Sequence, residues 1–162
     1  MNYLDKYNIP IPGALNFTYK EMIKSETALR KGIENIPNEY QILNIQLLAQ
    51  EVLQPLRNEF GPIKINSGFR CEELNIAIGG SPNSNHCRGE AADINLLSNI
   101  SLMFIINIIY KYLEFDELIA EYFPYGWIHV SYRDQINRKR LKLKDKLHNY
   151  KIIDIDYLNY LY

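Results

Sequence analysis

A chain of 162 residues in which 47% are hydrophobic suits one folded core. Its 18 Lys and Arg nearly balance 19 Asp and Glu, leaving a net charge of -1, which excludes the basic profile of a nucleic-acid binder. Two cysteines, Cys71 and Cys87, are too few for a disulfide scaffold and are expected as free thiols in a reducing cytoplasm. The start Met1-Asn2-Tyr3-Leu4-Asp5-Lys6 lacks signal-peptide character, and no window approaches a membrane-spanning length, so the expectation is a chain made soluble in the cytoplasm.

In chain order, Thr18-x-x-Glu21 reads as a capping box opening a helix through about Lys31, with Gly32 placed to end it. Met22, Ala28 and Leu29 supply part of its apolar face. Ile42, Ile45, Leu48, Val52, Leu56 and Phe60 fall at helical spacings, and Pro55 should kink or divide that helix before Gly61-Pro62 stops it. Ile63 to Asn66 reads as a strand ending at Gly68, followed by a short helix from about Glu72 to Ile78 and a loop over Gly79 to Asn85. Ala91 to Leu96 is a second strand, and Ser98 can cap a helix through about Tyr112 whose Leu102, Ile105, Ile106 and Ile109 would back the sheet. Leu118 to Tyr122 and Trp127 to Tyr132 read as paired strands joined through Pro124-Tyr125-Gly126. The expected architecture is α+β, with helices packed on a small, mainly antiparallel sheet, in one domain over 1–162.

The stretch from about Arg133 onward differs in character. Arg133, Arg138, Lys139, Arg140, Lys142, Lys144 and Lys146 outnumber Asp134 and Asp145, a pattern that suits either a patch attracting an anionic cell wall or a solvated edge strand protected by its charges. The Tyr-rich end, with Tyr150, Tyr157, Tyr160 and Tyr162, is expected to pack back onto the body or join a neighbour. His148 has no carboxylate at ligand spacing and is not expected to bind metal.

Two histidines and one carboxylate carry the chemistry. His86 sits in the polar loop segment Ser84-Asn85-His86-Cys87-Arg88-Gly89, Asp93 follows the small pair Ala91-Ala92, and His129 alternates with Trp127 and Ser131 while Ile128 and Val130 face the other way. Three N/O ligands with a fourth position open to water are the donor set of a catalytic zinc ion. Gly89 would supply backbone freedom between His86 and Asp93. Cys87 directly follows His86, so the two side chains could not easily converge on one ion.

Ser84-x-His86-x-x-Gly89-x-Ala91-x-Asp93 with a distal Trp127-x-His129 resembles the M15 group of zinc D-alanyl-D-alanine carboxypeptidases and L-alanyl-D-glutamate endopeptidases, a group well represented among phage lysins. Ile65-Asn66-Ser67-Gly68-Phe69-Arg70 and Leu74-Asn75-x-Ala77-Ile78-Gly79-Gly80-Ser81 are similar to the segments leading to that group's first ligand. Phe17-Thr18, Ser25, Ala28, Asn35-x-Pro37 and Leu53-Gln54-Pro55-Leu56-Arg57 also resemble its compact branch, so that about 15–133 are covered. The resemblance implies a hedgehog/DD-peptidase-like fold, zinc (Zn2+) as cofactor, peptidoglycan stem peptides as substrate and Arg70 as an anchor for a substrate carboxylate. Virion proteins are possible partners, with neither nucleic acid nor membrane insertion expected. Action on the cell wall would follow release or delivery as a virion component.

Peptide hydrolysis also needs a group that takes a proton from water and returns it to the leaving amine. Carboxypeptidase members with a Glu-x-x-His pattern carry it three residues before the last ligand, where this chain has Gly126. Glu121, ending Leu118-Ile119-Ala120-Glu121, is the replacement that resembles the compact branch, whereas Asp116 and Glu117 look like solvated residues entering the strand. Ser84 is expected to hydrogen-bond a ligand, a loop amide or the substrate. Two other classes share these features: a zinc-stabilised binding module of the same fold, and a nonheme iron oxygenase with a facial triad, whose usual His-x-Asp spacing is absent.

Overall fold

The computed structural model describes residues 3–96, 100–144, 147 and 149–160. After a 3-10 turn at Tyr3–Tyr7 comes a small hairpin of β1 (Pro10–Ile11) and β2 (Ala14–Thr18). Thr18 and Glu21 form the expected capping box, but the helix it opens, α1 (Tyr19–Ile23), stops at the extended Lys24. Ser25 then caps a second helix, α2 (Glu26–Lys31), by accepting from the Ala28 amide, so the single helix read from the sequence is two. Gly32, with φ +66°, ends the second one as expected. Leu29, assigned to the apolar face, is exposed, while Ala28, Ile33 and Leu74 make a small separate cluster.

A long helical path follows, as α3 (Glu39–Leu48), a π-helical turn at Ala49–Leu53 and α4 (Gln54–Phe60). Pro55 lacks an amide hydrogen, and the wider turn just ahead of it divides the path as the sequence predicted. Then come β3 (Ile63–Ser67), α5 (Glu72–Ala77), a 3-10 turn at Asn85–Arg88, β4 (Ala91–Leu96) and α6 (Leu102–Tyr112). Ser101 caps α6; Ser98, the expected cap, lies outside the described residues, as do Asp145, Lys146, His148 and Tyr162. The chain continues through β5 (Glu117–Glu121), β6 (Trp127–Ser131), β7 (Arg140–Lys144), β8 (Tyr150–Ile152) and α7 (Ile155–Tyr160).

Six strands form one sheet in the order β3-β4-β6-β5-β7-β8, antiparallel at every pair except β5 with β7. This is the expected α+β arrangement. Alternation divides the sheet into two faces. Ala92, Ile94, Leu118, Ala120, Ile128, Val130 and Leu141 are buried in the core with Ile105, Ile106 and Ile109 of α6, while the opposite face carries polar and charged side chains. Burying one face this way fixes the register, because a one-residue slip would exchange the two sets.

The C-terminal stretch departs from its expected form. β7 is not an edge strand, since it lies between β5 and β8. The tail packs back onto the body, as expected, but Ile153 and Leu158 are what it buries, whereas Tyr150 and Tyr160 stay exposed. Asn107 of α6 donates to Asn159 of α7 at 2.9 Å.

Candidate metal centre

Register alone places most of the centre. Ser67, Asp93, His129, Ile119 and Lys142 are successive cross-strand partners, so they form one row on the polar face of the sheet. A bulge between Ile65 and Ser67 puts Ser67, not Asn66, opposite Asp93. Strands therefore hold Asp93 and His129 side by side, and only His86 must arrive from elsewhere.

His86 comes from the 3-10 turn Asn85–Arg88, which local hydrogen bonds shape. Ser84 Oγ accepts from the His86 amide at 3.3 Å, and Gly89 closes the turn at φ +75°. A side chain at Gly89 would also collide with the Gln41 carbonyl of α3, so this glycine serves both the turn and the close packing behind it. From α3, Gln41 Nε2 donates to the Cys87 carbonyl at 2.9 Å and Asn44 Nδ2 to the Arg88 carbonyl at 2.8 Å. Asn85 Nδ2 reaches Ser131 Oγ on β6 at 3.0 Å. The turn is thus tied to the helix behind it and to the sheet beside it.

Three ligand atoms converge: His129 Nδ1 lies 2.9 Å from Asp93 Oδ1, and His86 Nε2 lies 3.3 Å from the same oxygen and 3.2 Å from His129 Nδ1. A tetrahedral zinc ion with bonds near 2.0–2.1 Å separates neighbouring ligands by about 3.3 Å, so this donor set fits such an ion. Tautomer control agrees. His86 Nδ1 donates to the Gly68 carbonyl at 2.7 Å, which leaves the Nε2 lone pair facing Asp93 and His129. Gly68 is required there because a Cβ would overlap the Met22 carbonyl. Arg70 Nη2 holds Asp93 Oδ2 at 2.6 Å while Arg70 Nε donates to Ser67 Oγ at 2.8 Å, directing Oδ1 toward the histidines. Among the described residues, His86, Asp93 and His129 form the one His, Cys, Asp and Glu group with spacing that could hold a metal ion.

The Peptidase M15 family model matches residues 15–131. The chain belongs to this family of peptidases. No curated protein matches the chain. Membership in a peptidase family sets the oxygenase reading aside. The family's span ends with Ser131 on β6, so β7, β8 and α7 lie beyond it.

Burial pushes the His86 imidazole below its ordinary pKa, against the pull of Asp93, so the ring is neutral at neutral pH as a ligand must be. Burial also opposes ionisation of Asp93, but contacts that include the 2.9 Å bond with His129 outweigh it and hold the carboxyl well below the usual range. The centre opens into a cavity of about 850 Å³ lined by Arg70, the Gly79–Asn85 loop side, β5, β6 and the basic side chains of β7.

Glu121 and Glu117 both face this cavity. They flank Ile119 on β5, one opposite Trp127 and the other opposite Ser131, so both are diagonal to His129. Glu121 is 5% exposed and pairs with Lys144 at 2.9 Å. Glu117 is held by two cations, Lys142 at 2.5 Å and Arg140 at 2.9 Å. The expectation that Asp116 and Glu117 are solvated is corrected: both are buried, and Asp116 accepts two bonds from Arg138 at 2.5 and 2.7 Å. Glu121 is therefore the cavity carboxylate with one cationic partner, and Glu117 the one with two.

Sequence reading missed Asn35 as a brace. Fully buried, it donates to the Ile23 and Phe69 carbonyls and accepts from the Cys71 amide at 2.7 Å, thereby fixing both flanks of Arg70. Its only sequence signal was its place in Asn35-x-Pro37. Cys71 and Cys87 are free, as expected, and burial pushes the Cys87 thiol up, away from the thiolate form a metal would need.

Proposed function

We propose that this peptidase is zinc-dependent and hydrolyses peptidoglycan stem peptides, as a D-alanyl-D-alanine carboxypeptidase or an L-alanyl-D-glutamate endopeptidase of the phage-lysin or virion-associated kind. The observation that carries the reading is the convergence of His86 Nε2, Asp93 Oδ1 and His129 Nδ1 beside a buried carboxylate, Glu121, in one polar cavity. His86, Asp93 and His129 would hold the ion, which when bound polarises a carbonyl and makes a water more acidic. Glu121 takes the proton of the attacking water and passes it to the amine nitrogen as the C–N bond breaks. Lys144 fixes that carboxylate in the wall. Arg70 keeps Nη1 outside its bonds to Ser67 and Asp93, and through it can orient a substrate carboxylate; Ser84 presents His86 and borders the same cavity. Access to the wall follows release by lysis or delivery in a virion.

A zinc-stabilised binding module of the same fold would leave peptidoglycan uncut. Burial of Glu121 at the cavity wall favours turnover, because an ion pair kept out of water has a cost that a binding module need not carry. The test is mass spectrometry of purified peptidoglycan incubated with the zinc-loaded chain. Released D-alanine marks the carboxypeptidase and cleavage after the first L-alanine the endopeptidase. Absence of any peptide product would overturn the reading.

A further inference from the structure

The basic tail, read from the sequence as a wall-attracting patch or a solvated edge, is not an edge in the structure: its cations form the far wall of the candidate metal cavity. Arg133, Arg138, Arg140, Lys142 and Lys144 all line that cavity, and all lie beyond the family's span. Their partners fall into three groups. Lys144 is matched one to one by Glu121. Arg133 shares Glu90 with Arg88. Among the described residues, Arg138, Arg140 and Lys142 share Asp116 and Glu117. Among the described residues, each of the last two groups has one more positive charge than carboxylates, and the last group faces the centre directly, because Lys142 stands in the same cross-strand row as His129.

We infer that Lys142, with Arg140 beside it, is a carboxylate-binding subsite that makes the enzyme selective for acidic peptides. The inference rests on the peptidase reading above. Two strand spacings separate Lys142 from His129, about 10 Å, and an extended peptide covers about 3.3–3.6 Å per residue. The recognised carboxylate therefore lies two or three residues from the scissile bond, which is where the D-Glu carboxylate stands relative to a terminal D-Ala-D-Ala bond. A cation that already shares its carboxylate partner can take up a second one, forming a charge-assisted bond in a wall where lysine is only 21% exposed. β7 pairing in parallel with β5 is what carries Lys142 to this position.

The test uses the zinc-loaded full chain and two synthetic stem peptides, L-Ala-γ-D-Glu-L-Lys-D-Ala-D-Ala with the D-Glu α-carboxylate either free or converted to the carboxamide. For the wild type, kcat/KM on the free acid should exceed that on the amide by at least about 10-fold. Lys142→Met should reduce the ratio to about 2 or less and Lys142→Glu should invert it, chiefly through KM. Arg140 still holds Glu117 in these variants, and unchanged melting temperatures would show that they fold.

Binding has its own readout because Trp127, the one tryptophan of the sequence, lines the cavity. Quenching by N-acetyl-L-Ala-γ-D-Glu should weaken in Lys142→Met and be absent with the diamide. If that pattern holds while neither peptide is cleaved, the subsite stands and the peptidase reading fails. If both peptides are cleaved with one ratio in wild type and Lys142→Met, the subsite is overturned and the peptidase reading stands. Quenching by a glycerol-phosphate oligomer at lower concentration than the dipeptide would also overturn it, making the wall a phosphate-polymer site.

Discussion

Replacing Arg70 by methionine removes the donor to Asp93 Oδ2 while keeping most of the apolar stem. The lost bond is 2.6 Å long and joins side chains only 15% and 14% exposed, so its contribution is that of a charge-assisted hydrogen bond, about 1.5–3 kcal/mol. Asp93 Oδ1 keeps its contacts with both histidines, so the carboxylate is loosened and not released. Loss of such an outer partner typically weakens metal binding about 10- to 100-fold. Competition against a chromogenic chelator at pH 7 should show a rise in zinc Kd within that range. Arg70→Lys should fall between, because one ammonium cannot reproduce the fork that spans Ser67 and Asp93, and its kcat/KM on stem peptides should drop further than its zinc affinity. A methionine variant with wild-type zinc affinity would refute the claim that Arg70 orients the ligand.

His86→Ala and His129→Ala should each abolish stoichiometric zinc, as measured by elemental analysis after dialysis, whereas Cys87→Ser should retain it; tight zinc in both histidine variants would remove the assignment. Glu121→Gln should lower turnover about 10²- to 10⁴-fold with zinc retained, and a larger loss in Glu117→Gln would move the proton-transfer role to that residue. Burial pushes the Asp116 carboxyl up, but the bonds from Arg138 outweigh it and hold the group below its ordinary value. Its folded pKa is thus depressed, so its stabilisation is complete above the unfolded carboxylate value of about 3.9 and is lost as pH falls through the folded value. Asp116→Asn should therefore unfold about 2 kcal/mol more easily in urea at pH 7, with the gap to wild type closing on acidification below pH 4.

The candidate metal group was legible because its signal is chemical and local: His86 and Asp93 lie seven residues apart in a loop-to-strand passage, and the period-two pattern around His129 names the face it occupies. Helix and strand positions were legible for the same reason, as capping residues and hydrophobic spacing are short-range. What sequence could not show depends on long-range pairing. The break at Lys24 needed the Ser25 cap to outcompete helix continuation, and both outcomes are compatible with the same local pattern. Asp116 and Glu117 read as solvated because their cationic partners arrive from Arg138, Arg140 and Lys142, through a parallel pairing that no periodicity announces.

Parallel pairing of β7 with β5 also changes what the row through the centre means. If the sheet ended at β5, Glu117 and Glu121 would be edge carboxylates with water for partners, and Ile119 would be the last residue of the row. With β7 in place, Glu117 stands opposite Arg140 and Glu121 opposite Lys144, four residues apart on the new strand, and Lys142 falls between them opposite Ile119. Register then matters as much as composition, because shifting β7 by one residue would turn Lys142 and Lys144 into the core and bring Leu141 and Leu143 to the cavity. Leu141, at 2% exposure, opposes that slip, so apolar burial on one face of β7 determines which charges face the metal centre on the other.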